Sequence, residues 1–557
     1  MLLLLTLFIP LLFAIVQMFV PAENKTAHRN LAAAGSIVTF IVSLALWFSF
    51  DKANPAFQFV INVPWIASLD IGFRFGLDGM SLLLVMLTTF TMPIAILSSR
   101  NSINDRDKLY YVMLMILQFG LTGVFMSLDT FLFYIFWEVV LIPMYFLIGI
   151  WGGKDRIYAS MKFFLYTMAG SLLMLVAIVW LGYYAQTHGG AFTTDFMKLM
   201  KVGPSIPVEI QKWLFLAFAL SFCIKVPLFP LHTWLPDAHT QAPTAGSVIL
   251  AAVMLKMGTY GLIRFNLQLF PQSSLQYADA ISVLAVIGII YGALLAMVQS
   301  DVKKLVAYSS VAHLGFVVLG IFSMTAEGVQ GAVLQMVNHG LSTGMLFLLV
   351  GFIYERRHTR QMSEFGGLAK SMPVYATFFA LAVFASVGLP GLNGFVGEYL
   401  TLVGAYVSDN LSSKWFAVVA ASGVILAAVY LLILFQKMFF GPLTNPENGR
   451  LKDLSRLEVG LLVPMVLFCI WIGFHPNTFL SVTEKSSRAV VGVVEQLKGQ
   501  NRYAVDANLR IGRDTATVPP GAGTRMGQPE IMHPGGQGAP PVQVMPAPPS
   551  QAAPPGH

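Results

Sequence analysis

Residues 213–238 read WLFLAFALSFCIKVPLFPLHTWLPDA. The stretch is long and apolar enough to cross a bilayer, whose hydrocarbon core of about 30 Å takes about 20 helical residues. Near its middle stands Lys225, and a lysine at that depth costs roughly 2.5–3.5 kcal/mol on insertion scales. Pro227 and Pro230 follow at once; each lacks an amide donor and interrupts the helical ladder. Backbone freed in this way at membrane depth is tolerated where it lines a wet cavity. The stretch therefore predicts a broken transmembrane helix whose ammonium group faces water-filled space.

The rest of the chain reads the same way. Of 557 residues, 56% are hydrophobic and 11% charged, with a mean hydropathy of +0.70. A soluble enzyme carries charged residues at about 25%. About fourteen segments qualify as spans: 1–20, 31–50, 80–99, 109–128, 130–151, 163–184, 213–238, 243–263, 277–299, 305–323, 328–354, 374–405, 415–436 and 458–477. The expected fold is an all-α polytopic membrane protein. Its first span lacks a basic leader and a small-residue cleavage site and reads as a retained helix. Residues 57–79 alternate apolar and polar side chains between turn formers and predict a short hairpin. From residue 500 to 557 the chain is rich in Pro, Gly, Gln and Ala, the composition of a disordered tail.

Loop charge predicts orientation. With the N-terminus outside, the outer loops hold only Lys52, Arg74, Lys198, Lys201, Lys212, Arg264 and Lys414 before the tail, while inner loops collect clusters such as Arg100, Arg106, Lys108 and Arg356, Arg357, Arg360, Lys370. Basic residues gather on the cytoplasmic side, so both termini are expected on the outer, periplasmic face of a bacterial inner membrane. A net charge of +7 without a basic run gives no nucleic-acid surface. Two cysteines far apart, Cys223 and Cys469, exclude a Cys-rich metal site, a Cys-ligated cluster and a disulfide scaffold.

Four ionisable residues fall deep within spans: Glu138 in FYIFWEVVLIPMYF, Lys225, Lys256 in ILAAVMLKMGTYG and Glu398 in GLPGLNGFVGEYLTL. Gly388, Pro390 and Gly391 break the twelfth span ahead of Glu398, as Pro227 and Pro230 break the seventh beside Lys225. Lys225 and Glu398 lie 173 residues apart, and spans four and nine start 168 apart. Paired broken helices in corresponding halves are the sequence mark of a transporter site. Two five-helix repeats follow, at 109–267 and 277–438, and the odd number of spans makes the second inverted. Residues 1–108 and 439–499 flank them.

His313 and His339 sit in spans ten and eleven, between Lys256 and Glu398 in repeat order; His232 and His239 follow the first break. A lone buried histidine is as readily a packing residue, and Glu138 with Lys225 could be a mutually neutralising pair that glues helices. The series as a whole reads as a proton relay, with Ser309, Ser310, Ser342 and Thr343 near enough in sequence to anchor water. Burial disfavours a charged ammonium and a nearby carboxylate favours it, so separating Glu138 from Lys225 would make the lysine release its proton.

The run KVPLFPLHTWLPDAHTQAPTAGSVILAAVMLKMGTYGLIRF, with Lys225 and Lys256 thirty-one positions apart, closely resembles the antiporter-like proton-channel subunits of respiratory Complex I. The likeness extends over essentially all fourteen spans. A glutamate in the twelfth span looks like the M-type (chain 4) branch, since L- and N-type subunits are expected to carry lysine there. The chain also gives no sign of the long amphipathic lateral helix of the L type. The resemblance implies that Glu138 and Lys225 are the Glu/Lys pair of a first half-channel, Lys256 the central lysine, His313 and His339 the linking histidines, and Glu398 the carboxylate of a second half-channel. It further implies a complex that uses NADH, FMN, iron-sulfur clusters and quinone, all bound by other subunits, with no cofactor or metal in this chain. Its neighbours would be L-type and N-type subunits within the lipid bilayer. The competing readings are the membrane subunit of a multi-subunit sodium/proton antiporter, the ion-pumping subunit of a membrane-bound hydrogenase, and a purely structural spacer.

Overall fold

In lipid every backbone amide and carbonyl must be satisfied within the protein, which leaves helices as the means by which apolar segments of this length cross. A computed structural model describes residues 1–514 apart from 189 and 444, with side chains described to residue 498. The helices are α1 (Leu2–Phe19), α2 (Lys25–Ser49), α3 (Gly79–Ser98), α4 (Asp107–Met126), α5 (Thr130–Trp151), α6 (Arg156–Thr187), the short α7 (Phe196–Val202), α8 (Val208–Lys225), α9 (Trp234–Gln241), α10 (Thr244–Leu269), α11 (Pro271–Met297), α12 (Val302–Phe322), α13 (Ala326–Arg357), α14 (Pro373–Val387), α15 (Asn393–Val407), α16 (Trp415–Phe439), α17 (Arg456–Phe474) and α18 (Asn477–Asp514). Twelve of the described helices are long and apolar enough to cross a membrane. The seventh and twelfth predicted spans are instead split, as α8 with α9 and α14 with α15.

Starts are set by side chains that accept from otherwise orphaned amides. Asp129 accepts from the amides of Phe131 and Leu132 at the head of α5, and Asp301 from those of Lys303 and Lys304 at the head of α12. Ser455 and Glu458 form a reciprocal capping box at α17. The apolar windows of α10 and α13 are wholly buried, whereas those of α1, α2, α16 and α17 are buried over a third of their residues. The first pair forms the core and the second group presents apolar side chains outward, as a lipid-facing layer must.

Between α2 and α3 the chain forms an antiparallel hairpin, β1 (Gln58–Ile66) and β2 (Ile71–Leu77), pairing Ile61 with Phe75 and Val63 with Phe73. Its turn is clamped to the body. Arg74 bonds Asp70 at 2.5 Å and Asp129 at 2.7 Å, and Lys198 reaches Asp70 at 2.7 Å. Burial works against the Asp70 carboxylate, but bonds from Lys198 and Thr193 and the charge of Arg74 hold its carboxyl below the usual carboxylate range.

Three sequence expectations change. Several helices outrun their predicted limits: α6 takes in Arg156 and Lys162, and α10 runs to Leu269 and so takes in Arg264. Arg264 therefore lies on a helix, not in an outer loop as the charge count placed it, because it finds a buried partner within the protein, Asp78. The tail expected to be disordered from 500 is helical as far as Asp514, and the remainder of that expectation lies outside the described residues. The same helix overturns the expected absence of a long amphipathic segment after the last span. Phe479, Val482, Val490, Val491 and Val494 are its buried face, while Lys485, Arg488 and Glu495 are exposed. Helical spacing in NTFLSVTEKSSRAVVGVVEQ was legible but interspersed with polar residues. The chain divides into two units, Met1–Gln500 and Asn501–His557.

Candidate proton-transfer site

The first break begins where the sequence places it. α8 stops at Lys225, and turns carry the chain to Trp234. Pro227 offers no amide to the Cys223 carbonyl, which is taken by the amide of Leu228 at 2.9 Å; the Ile224 carbonyl accepts from the indole of Trp234 at 2.8 Å. The broken ladder is thus repaired by protein groups beside the lysine. Lys225 is 1% exposed and its Nζ has no hydrogen-bond partner among the described residues. It lies over the rings of Trp137 and Phe163 at 5.4 and 5.3 Å, faces that attract a cation. Glu138, next to Trp137 on α5, has an unpartnered Oε1. Glu138 and Lys225 do not form an ion pair within 4.0 Å, so the mutually neutralising contact expected as one reading is not made. The two groups stand on α5 and α8 without direct contact, near enough for each charge to act on the other.

The second break uses glycine where the backbone turns left-handed. α14 ends at Val387, and Gly388 and Gly391 adopt φ of +81° and +91°, the left-handed region open to glycine. Pro390 lies between them and α15 resumes at Asn393. A Cβ on Gly388 would stand 3.0 Å from Oε2 of Glu398, so the break and the carboxylate touch.

From Lys256 to Glu398 the polar side chains are nearly continuous. Lys256, fully buried on α10, donates from Nζ to Nδ1 of His339 at 2.8 Å and to the Ala251 carbonyl at 2.5 Å. Ala251 belongs to a π-helical segment, Leu250–Met254, and a second, Leu262–Asn266, follows Lys256. Such widenings concentrate at functional sites. The rings of His339 and His313 are 5.9 Å apart between centroids. His313 Nδ1 bonds Oε1 of Glu398 at 2.9 Å, and Tyr430 donates to His313 Nε2 at 3.4 Å. Gln335 donates to the same carboxylate oxygen at 3.0 Å. His313, His339 and Glu398 are each buried.

The sequence reading missed Gln335, Asn338, Asn393 and Tyr430. Asn338 donates to the Asn393 carbonyl at 2.7 Å and Asn393 to the Asn338 carbonyl at 3.2 Å, which ties α13 to the head of α15. Gln335 precedes His339 by one helical turn, a spacing that places both on one face and could have marked it; Tyr430 lies in an apolar run with no such signal. His232 stacks on Phe229 and meets Tyr291 edge-on, and His239 stacks on Phe347 at 4.5 Å; neither makes a hydrogen bond to this chain of contacts among the described residues. Ser309 and Ser310 bond the Val306 carbonyl of their own helix.

Gly397 gives one test of this packing. A Cβ there would meet Oε1 of Gln335 at 2.3 Å and Cα of Gln335 at 2.9 Å, so Gly397→Ala must push α15 off α13 and weaken the Gln335 bond to Glu398. A hydrogen bond to a charged group contributes about 1.5–3 kcal/mol, and a drop in coupled proton transport of about tenfold is expected. Proton uptake by vesicles, normalised to assembled protein, reads it; wild-type transport would refute the role given to Gln335.

Comparison with known proteins shows the family. Residues 127–428 match the family described as NADH:quinone oxidoreductase/Mrp antiporter, TM, and residues 4–124 match NADH-ubiquinone oxidoreductase chain 4, amino terminus. The chain is 46% identical over 485 residues to NADH-quinone oxidoreductase subunit M of Rhodobacter capsulatus, covering 84% of this chain and 92% of that one. It is 42% identical to NADH-ubiquinone oxidoreductase chain 4 of Marchantia polymorpha, covering 86% and 94%. A chain of respiratory complex I from Thermus thermophilus superposes with a TM-score of 0.80 at 32% identity, covering 89% of this chain and 100% of that one. The Mrp complex of Dietzia shares the fold, with a TM-score of 0.75 at 19% identity. With breaks beside Lys225 and before Glu398, and with relatives of this identity over nearly their whole length, the chain belongs to the NADH:quinone oxidoreductase/Mrp antiporter family of membrane subunits, on its subunit M (chain 4) branch.

Proposed function

We propose that this chain carries protons across the membrane as a subunit of NADH:quinone oxidoreductase, by a relay running through Glu138, Lys225, Lys256, His339, His313 and Glu398. The carrying observation is the buried sequence of contacts from Lys256 through His339 and His313 to Glu398. The Lys256 ammonium donates to His339 Nδ1, so its proton is already directed at the next acceptor. From His339 to His313 the rings are too far apart for a direct bond, and one water or a ring rotation completes the step. His313 then passes a proton to Glu398, whose Oε2 lies against the broken backbone at Gly388. Lys225, held against aromatic faces with no hydrogen-bond partner, is poised for a proton that Glu138 stabilises when the two approach. Movement of either helix about the Pro227–Pro230 break changes that distance.

In this reading α8 with α9 and α14 with α15 each count as one crossing, which makes fourteen and supports two inverted five-helix repeats. Both termini lie on the periplasmic side of a bacterial inner membrane, because the basic inner loops favour that orientation. NADH, FMN, iron-sulfur clusters and quinone belong to other subunits, and the membrane neighbours are L-type and N-type subunits.

Extraction of the tagged chain in mild detergent, followed by assay of the intact assembly, tests the reading. NADH-dependent quinone reduction that co-purifies with the chain is expected. An assembly that lacks this activity and exchanges sodium for protons in vesicles would move the same residues into an antiporter.

A further inference from the structure

Among the buried charged clusters that the relay does not use, one lies next to the central lysine along α10. Asp78 caps α3, and Arg264 lies in the second π segment of α10; they are 4% and 2% exposed. Arg264 Nη2 donates to Asp78 Oδ2 at 2.6 Å and to Ser81 Oγ at 3.2 Å, and its Nε donates to the Tyr260 hydroxyl at 3.1 Å. Tyr260 in turn donates to the Phe125 carbonyl at 3.3 Å. The guanidinium carbon lies over the rings of Phe57, Tyr260 and Phe196 at 4.8, 5.2 and 5.9 Å. One carboxylate, two hydroxyls and three aromatic faces therefore fix this arginine.

Lys256, Tyr260 and Arg264 are spaced four apart along α10, which stacks them on one face with a rise of about 6 Å per step. A polar stripe thus leads from the central lysine to the end of the bundle that bears the hairpin, and Arg264 ends it beneath Phe57 and Phe196. We propose that Arg264, positioned by Asp78, is a fixed barrier that closes the hairpin end of the Lys256 site, so that a proton on Lys256 can leave only through His339. The inference rests on the relay reading. A guanidinium cannot be deprotonated within a protein, and an arginine in a narrow polar path excludes protons and cations. The ion pair is neutral overall, so the block comes from a side chain that fills the path and neither takes up nor releases a proton. Asp78 offsets the burial of that charge.

The intact complex carrying Asp78→Asn with Arg264→Gln, reconstituted in liposomes under an imposed pH gradient and without NADH, tests the barrier. Gradient decay at least tenfold faster than wild type is expected, and addition of Lys256→Ala should return it to the wild-type rate. Asp78→Asn alone keeps the guanidinium and should stay tight. If the double variant does not assemble, Arg264→Lys serves: it keeps the pair but supplies a group that can release a proton, and it too should leak. A tight double variant, a tight Arg264→Lys complex, or a leak that survives Lys256→Ala overturns the barrier and leaves the relay standing. Failure of the relay itself is read separately, as undiminished NADH-driven pumping in Lys225→Ala.

Discussion

A complex carrying Lys225→Ala is expected to assemble at normal abundance and to lose at least nine-tenths of its NADH-driven proton pumping. The substitution removes an ammonium with no hydrogen-bond partner among the described residues, which contributes little to helix contacts, so assembly has little to lose. The aromatic faces of Trp137 and Phe163 lose a cation contact of about 0.5–2 kcal/mol. With Lys225 gone, Glu138 has no ammonium with which to exchange a proton when the two helices approach. The first half of the relay then has no mobile charge. Dye quenching in inverted membrane vesicles, with the assembled complex quantified in the same membranes, measures the loss. Full pumping at normal abundance would return Lys225 to the spacer reading.

Glu398 is the second decisive position. Its Oε1 accepts from His313 and Gln335, and Gly388 leaves room for Oε2. Glu398→Gln preserves length and planarity and one acceptor oxygen, but an amide cannot cycle a proton. Pumping is expected to fall at least tenfold in Glu398→Gln, while Glu398→Asp retains a measurable part because the shorter carboxylate still titrates and can reach His313 through water. Equal loss in both variants would make the site a matter of packing, and equal retention would remove Glu398 from the path.

The fold was legible in the sequence where charge or proline interrupts long apolar runs. KVPLFP predicted the stop of α8 at Lys225, and GLPG the gap between α14 and α15, because proline and left-handed glycine act on the backbone regardless of what packs around it. The span limits and the last helix were less legible. Arg264 and Lys162 carry full charges, and only tertiary partners such as Asp78 and Asp237 let them lie along helices. The amphipathic α18 alternates Thr, Ser and Glu with valines, and a reading tuned to uniformly apolar spans passes over it.

Site residues divide on the same line. Lys256 and Glu398 stand out because a lone charge within an apolar run is expensive wherever the helix packs. Gln335, Asn338, Asn393 and Tyr430 cost less to bury, and only the approach of α12, α13, α15 and α16 gives them partners. The separation of Glu138 from Lys225 was beyond sequence for a related reason. Whether two charges on different helices touch depends on packing distance, which the spacing along the chain does not fix.

The central claim is that Glu398 binds and releases a proton during turnover. Infrared difference spectra of the reconstituted complex, taken before and after addition of NADH and quinone, test it directly. The account predicts a protonated-carboxyl band that changes with turnover, shifts in heavy water and is missing from Glu398→Gln; an identical carboxyl region in wild type and Glu398→Gln would contradict it.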